Sequence, residues 1–547
     1  MDRRLFERLL AGRANRRRLL AGGAGLAAAS FAGRPTRVLG QASPIASPGA
    51  SPVASPVLGG TPFTLGVASG DPLPDGVVLW TRLAPDPLAV GGGMEGQGSV
   101  EVRWEVASDE AFGRVVRHGA EIASPGLGHS VHVDVRGLEP GAEYFYRFMA
   151  GGETSPVGRT KTAPMAGAPL ERLRFAFSSC QDWLTGYYPA YRQMAREDLD
   201  LVFFLGDYIY EDAYGPDEET GAFPVPGREH TSGEIVTIDD YRTRYALHKS
   251  DPDLQAAHAA FPWVATWDDH EVDNDYAGEH DEIGTPLDAF LARRAAGYQA
   301  FYEHQPLRPS SMPQGPGMAL YRRLAFGDLA EFSVLDTRQY RHDHPCGAGE
   351  QARCPAAYDP NTTLLGPEQE RWVLAGLDAS GARWNVLAQQ ILMAELEHNP
   401  GPGEIFWTDA WDGYPAARNR VLSHVMSRNI ANPVVLTGDW HSTFVNDLKA
   451  DFDAPESPTV ATEFVVTAIS TGGDDNGYDD YYGAMIPNNP HITFFDGDRR
   501  GYMRVEITPD RWRTDLQMVE TVLDPASPVE TLRSFVVENG RPGAQDA

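Results

Sequence analysis

Three acid-bearing clusters, each directly after an apolar run, constrain this chain more than any other feature. The first is Gly206-Asp207-Tyr208-Ile209-Tyr210, after Leu201-Val202-Phe203-Phe204-Leu205. The second is Trp267-Asp268-Asp269-His270-Glu271, after Pro262-Trp263-Val264-Ala265-Thr266. The third is Gly438-Asp439-Trp440-His441, after Val434-Val435-Leu436-Thr437. The apolar runs read as strands. Each cluster puts acids and a His or Tyr where a strand ends, which is where α/β folds gather ligand groups from distant parts of the chain. Together they predict one multi-metal site.

A chain of 547 residues calls for two or more domains. With 42% apolar and 22% charged residues it is a globular sequence. Lys and Arg number 46 against 76 Asp and Glu, a formal charge of −30. No basic stripe is present, which argues against dedicated nucleic-acid binding. The acids serve solubility and can supply carboxylates for hard cations.

Residues 1–42 read as an export signal. Arg16-Arg17-Arg18-Leu19-Leu20 fits the twin-arginine pattern, and a short Ala/Gly-rich apolar run follows from Leu19 to Ala32. Cleavage is expected near Ala42. The expected partner is the twin-arginine export machinery, and the expected location is secreted, periplasmic or wall-associated. No other run approaches membrane-spanning length, so the mature chain is expected to carry no transmembrane segment. Residues 43–60 repeat Ala-Ser-Pro and read as an extended linker.

Residues 61–165 carry short alternating strands such as Val77-Val78-Leu79-Trp80 and Val100-Glu101-Val102-Arg103-Trp104. Leu138 to Tyr146 is similar to the tyrosine corner of fibronectin-type sandwiches, so an Ig-like domain is expected here. In residues 166–525 strands alternate with helical segments, which predicts one large layered α/β domain. Residues 526–547 read as a C-terminal tail.

Asp207 and Tyr210, three apart at a strand end, can address one ion. A phenolate suits a strongly acidic metal such as ferric iron. Cys180 ends the strand Leu173 to Cys180 and can add a thiolate. Asp439 and His441 can serve two adjacent ions from a turn, and Asp207 can bridge ions about 3.5–4 Å apart. Asp269, Asn274 and Asp439 offer oxygen donors suited to calcium or magnesium. Taken singly, each motif is as readily a turn, a buried filler or a hydrogen-bonded loop. Their joint occurrence at strand ends favours the metal site.

The chain resembles the alkaline phosphatase D family, a branch of the metallophosphoesterase (calcineurin-like) superfamily related to purple acid phosphatases. The resembling residues are Gly70-Asp71-Pro72 with Val78 to Arg82, Ser179-Cys180-Gln181, Gly206 to Glu211, Asp268 to Glu271 with Asn274, and Gly438 to His441. The resemblance implies a four-layer α/β/β/α sandwich behind an Ig-like domain. It implies Fe(3+) held by Cys180, Asp207, Tyr210 and His441, with one or two Ca(2+) sharing Asp207. Asp269, Asn274 and Asp439 divide between calcium and phosphate. Where the superfamily has Gly-Asn-His-Asp/Glu, this chain has Asp268-Asp269-His270-Glu271, so Asn274 is a candidate for the missing Asn.

The expected activity is hydrolysis of phosphomonoesters, phosphodiesters or both by a metal-bound hydroxide, with His270 and Asp269 as catalytic residues. Arg242, Arg338 and Tyr414 are candidate substrate contacts. The alternatives are a phospholipase D-like or nuclease phosphodiesterase, and a non-enzymatic metal- or phosphate-binding module. Cys346 and Cys354, eight apart in a Gly/Ala/Pro-rich loop, are expected to form a disulfide in an oxidising compartment.

Overall fold

The computed structural model describes residues 60–212, 225–399, 401, 403–454 and 456–547. The predicted export signal and all but the last residue of the linker lie outside the described residues.

Leu201–Leu205 and Pro262–Thr266 are buried along their whole length, as central parallel strands must be. With Leu173–Ser178 they form the parallel middle of a ten-stranded sheet. From one edge to the other its order is Arg541–Asp546, Val529–Glu538, Arg511–Val519, Gly501–Ile507, Leu173–Ser178, Leu201–Leu205, Pro262–Thr266, Val67–Leu73, Gly76–Arg82 and Ser130–Arg136. A seven-stranded sheet runs Arg322–Phe326, Ala330–Val334, Trp384–Ala388, Pro433–Thr437, Thr459–Val465, Thr443–Lys449, Ile492–Asp496.

Alternation along each strand sorts side chains to opposite faces. Leu201, Phe203 and Leu205 enter the apolar cluster between the two sheets, where Phe203 stacks on Phe332 at 4.6 Å. Val202 and Phe204 face the other way, into a cluster shared with the helices Ile238–Lys249, Pro252–Ala260 and Leu287–His304. The seven-stranded sheet turns Leu387 and Val435 toward the helices Gly366–Ala379 and Pro415–Ser427. Each buried Leu or Phe contributes about 1.5–3 kcal/mol. Among the described residues no helix is long and apolar enough to cross a membrane.

The N-terminal β region has two sheets around Val77, Leu79, Val133, Val102, Tyr146 and Phe148. Its second sheet is built on Val115–Ala123, Val100–Ala107 and Glu143–Ala150. The Tyr144 hydroxyl accepts the Glu139 backbone N–H at 3.0 Å, the corner expected at that turn. The first sheet, however, is not separate. Val67–Leu73 pairs in parallel with Pro262–Thr266, so it continues the ten-stranded sheet. The join needs Gly70, because a Cβ there would lie 2.6 Å from the Trp263 carbonyl oxygen.

Residues 526–547 also differ from the expected tail. Val529–Glu538 and Arg541–Asp546 are sheet strands, and Phe535 and Val537 are buried between the sheets. Charged residues on the outward face mask the apolar alternation.

Candidate metal centre

Four strands end at one place. Leu173–Ser178 leads to Cys180, Leu201–Leu205 to Asp207, Pro262–Thr266 to Asp268 and Asp269, and Pro433–Thr437 to Asp439 and His441. The first three belong to one sheet and the last to the other. Two glycines permit the approach. A Cβ at Gly206 would sit 2.5 Å from Asp268 Cβ, and one at Gly438 would sit 2.8 Å from Ser179 Cβ. Cys180, Asp207, Asp439 and His441 themselves have left-handed backbones, with φ of 58°, 58°, 60° and 55°. Such strain outside glycine concentrates at functional sites.

The donor atoms form overlapping groups. Cys180, Asp207 and His441 place ligand atoms within 4.8 Å of one another, as do Asp207, Asp268, Asp269 and Asp439. Asp207, Asp269 and His270 form a third such group. The Tyr210 hydroxyl lies 3.1 Å from Asp207 Oδ2 and 3.2 Å from His441 Nε2. Thr471 Oγ1 donates to that hydroxyl at 2.8 Å.

Burial, then Asp207 and Asp439, push the Cys180 thiol well above its usual range. Burial, then Asp207 and Cys180, do the same to the Tyr210 phenol. Asp207 is raised well by burial and by Asp269, Asp268 and Glu271, against His270. Asp439 is raised well by burial and Asp268, against Arg338. Asp207 Oδ1 and Asp268 Oδ2 are buried without a hydrogen-bond partner. A buried carboxylate oxygen in that position is stabilised by a cation. The mixed set of thiol, phenol, imidazole and carboxylates therefore fits bound metal ions.

Glu271 and Glu211 hold the frame. The Glu271 carboxylate accepts the backbone N–H groups of Asp207, Tyr208 and Asp268 at 3.2, 2.6 and 2.8 Å. Glu211 Oε2 lies 2.6 Å from His270 Nδ1, and its Oε1 accepts the Asn274 N–H at 3.0 Å. Burial alone would lower the His270 pKa. Glu211, Asp269 and Asp207 outweigh it and raise it well above the usual value. The Asn274 side-chain amide nitrogen donates to Glu282 Oε2 at 3.0 Å.

Each of the three expected substrate contacts has partners within the protein. Arg242 forms a two-pronged pair with Glu303, both contacts at 2.7 Å, and so ties helix Ile238–Lys249 to helix Leu287–His304. Arg338 is wholly buried, with Nε on Asp268 and Nη1 on Asp409, while its Nη2 is buried without a hydrogen-bond partner, 3.6 Å from Asp269 Oδ1. Tyr414 is buried and its hydroxyl donates to the His342 carbonyl at 2.7 Å. Sequence reasoning supplied the residue types but not their tertiary partners. It also gave no role to Asp268, Glu211 and Glu271, although all three stand in the quoted motifs. Thr471 and Asp409 carry no local signal.

Cys346 and Cys354 form a disulfide with a Cα–Cα distance of 5.6 Å, and Cys180 is the free cysteine.

A model of the PhoD-like phosphatase family matches residues 175–516, and one of the PhoD-like phosphatase N-terminal domain matches residues 49–164. Alkaline phosphatase D of Bacillus subtilis (strain 168) is 52% identical over 487 residues, which is 88% of this chain and 82% of that protein. A solved structure described as the structure of PhoD superimposes with a TM-score of 0.85 at 50% identity, covering 90% of this chain and 93% of the other. Fold and site thus define a metal-dependent phosphoesterase, a hydrolase of the alkaline phosphatase class. The chain belongs to the PhoD-like phosphatase family.

Proposed function

We propose that Cys180, Asp207, Tyr210 and His441 hold Fe(3+), and that Asp207 is shared with one or two Ca(2+) bound by Asp269, Asn274 and Asp439. The observation that carries this reading is the position of Asp207. It belongs both to the group with Cys180 and His441 and to the all-carboxylate group. The first group adds thiol and imidazole donors and the second only carboxylates, which suits two ions of different hardness. When bound, such ions supply Lewis acidity that polarises the phosphoryl group and lowers the pKa of water.

The chain's own groups then orient and protonate. His270 is pinned at Nδ1 by Glu211, so its Nε2 carries the proton for the leaving oxygen. Asp269 accepts the backbone N–H groups of His270 and Asp275 at 3.0 and 2.6 Å, which fixes its carboxylate beside Asp207. The substrates are phosphomonoesters, phosphodiesters or both. The layered arrangement of two sheets with helices outside each is read as an α/β/β/α sandwich, supported by the three apolar clusters. Export to an oxidising compartment, for which the motif at Arg16-Arg17 reads as a twin-arginine signal, is supported by the disulfide, which persists there.

The test is metal analysis of the purified full-length protein together with assays on one monoester and one diester. Iron and calcium bound in stoichiometric amounts, with turnover lost on their removal, are expected. A fully active protein free of both metals would overturn the assignment.

A further inference from the structure

The disulfide loop reaches the carboxylate cluster by a path that the chain order conceals. His344, two residues before Cys346, places Nε2 2.8 Å from Asp409 Oδ1. Asp409 is buried and also meets Arg341 and Arg338, with Arg338 Nη1 2.8 Å from Oδ2. Arg338 in turn has Nε on Asp268 and Nη2 3.6 Å from Asp269 Oδ1. The loop grips the residue next to Asp409 as well. Gly349 O accepts the Thr408 N–H at 3.0 Å, and Gly347 O accepts the Thr408 hydroxyl at 2.6 Å.

We propose that Asp409 is a positioning residue for the phosphoester reaction, held by the disulfide-closed loop through His344 and Thr408. Its role is to divide the charge of Arg338. With Asp409 in place, the buried guanidinium is balanced by carboxylates on both sides, and Asp268 and Asp269 keep oxygens for cations. With Asp409 neutral or displaced, the whole charge of Arg338 falls on Asp268 and Asp269 and competes with the metal ions there. Burial makes the competition strong, because Arg338 has no solvent to turn to. The inference rests on the reading of the aspartate cluster as a cation site.

The experiment uses the full-length, metal-loaded protein and three changes: Asp409→Asn, His344→Gln, and the pair Cys346→Ser with Cys354→Ser. Bound metal, kcat, KM and melting temperature are read for each. Groups that orient metal ligands typically change metal affinity or activity by about 10- to 100-fold. The expected result is a fall of about tenfold in kcat or calcium affinity for His344→Gln, with KM within about twofold. The cysteine pair is expected to show the same fall. Joining it to His344→Gln is expected to add little, since both cut one path. Wild-type kcat and metal content in His344→Gln overturn the proposal, as do losses that multiply in the combined protein. Should Asp409→Asn fail to fold, His344→Gln decides alone. A wild type that turns over without metal overturns the cation-site reading and the positioning role with it. A metal-dependent wild type with unaltered variants overturns the positioning role only.

Discussion

His270 Nδ1 lies 2.6 Å from Glu211 Oε2, so a buried carboxylate holds a partly exposed imidazole that shares a ligand group with Asp207 and Asp269. The pair sets the orientation of the imidazole and, on the proposed reading, leaves its far nitrogen to protonate the leaving oxygen. Removing the acid, as in His270→Ala, is expected to lower kcat about 10²- to 10⁴-fold. Glu211→Gln keeps the shape but weakens the grip, and a loss of about 10- to 100-fold is expected. Steady-state kinetics on a phosphate ester with a poor and a good leaving group check both. The loss should shrink for the good leaving group, which needs less protonation. Equal losses on both substrates would count against proton donation.

The central strands were legible because each is buried on both faces, so five consecutive apolar residues announced Leu201–Leu205. The cluster was legible because each motif follows such a strand. The continuity of Val67–Leu73 with Pro262–Thr266 was not, since parallel pairing leaves no local trace in either strand. Nor were the partners of Arg242 and Arg338. A guanidinium suits phosphate and carboxylate alike, and only the tertiary fold brings up Glu303 and Asp268. The last strands leave a weak pattern, since Val529–Glu538 buries Phe535 and Val537 at one end while Leu532 is exposed.

Tyr210 offers a spectroscopic test. Its hydroxyl faces both Asp207 and His441, so with ferric iron in the group the protein is expected to be coloured by phenolate-to-iron charge transfer. Tyr210→Phe is expected to bleach it and to reduce iron content. Absorbance and elemental analysis of the two proteins check this. An iron-containing variant with undiminished colour would exclude the phenolate.

Gly206 tests the convergence of the strand ends. Its φ is 104°, and a Cβ would lie 2.7 Å from the Asp268 backbone nitrogen. Gly206→Ala is expected to cost more than about 1 kcal/mol of stability, because alanine meets both an unfavourable conformation and fixed backbone. It should also lower metal content, since Asp207 and Asp268 are pushed apart. Denaturant unfolding and metal analysis measure the two effects.

The disulfide makes a separate stability prediction. After denaturation and metal removal without reductant, thiol titration is expected to find one thiol per chain, that of Cys180. Replacing Cys346 and Cys354 together by Ser is expected to cost about 2–3 kcal/mol by the loop-entropy argument. Three thiols in the wild type would refute the bond.

His132 predicts how stability depends on pH. It stands in Ser130–Arg136, stacks on Tyr302 at 4.3 Å and contacts the Leu307 carbonyl through Nδ1 at 3.1 Å, so it joins the N-terminal sheet to the catalytic region. Its Nε2 is buried with no partner. Burial, partly offset by the Leu307 carbonyl, lowers its pKa to about 4. The unfolded chain titrates the same ring near 6.5. Between these values the unfolded state binds the proton and the folded state does not. Stability from this residue is therefore complete above about pH 6.5 and is lost as pH falls toward 4, with a slope of at most about 1.4 kcal/mol per unit. His132→Phe removes the proton site and retains the stack. Between pH 7.5 and pH 5, denaturant unfolding should show the wild type losing about 1–2 kcal/mol relative to His132→Phe. The comparison cancels loss of metal in acid, which affects both proteins. A gap unchanged between the two pH values would show that His132 is not held neutral in the fold.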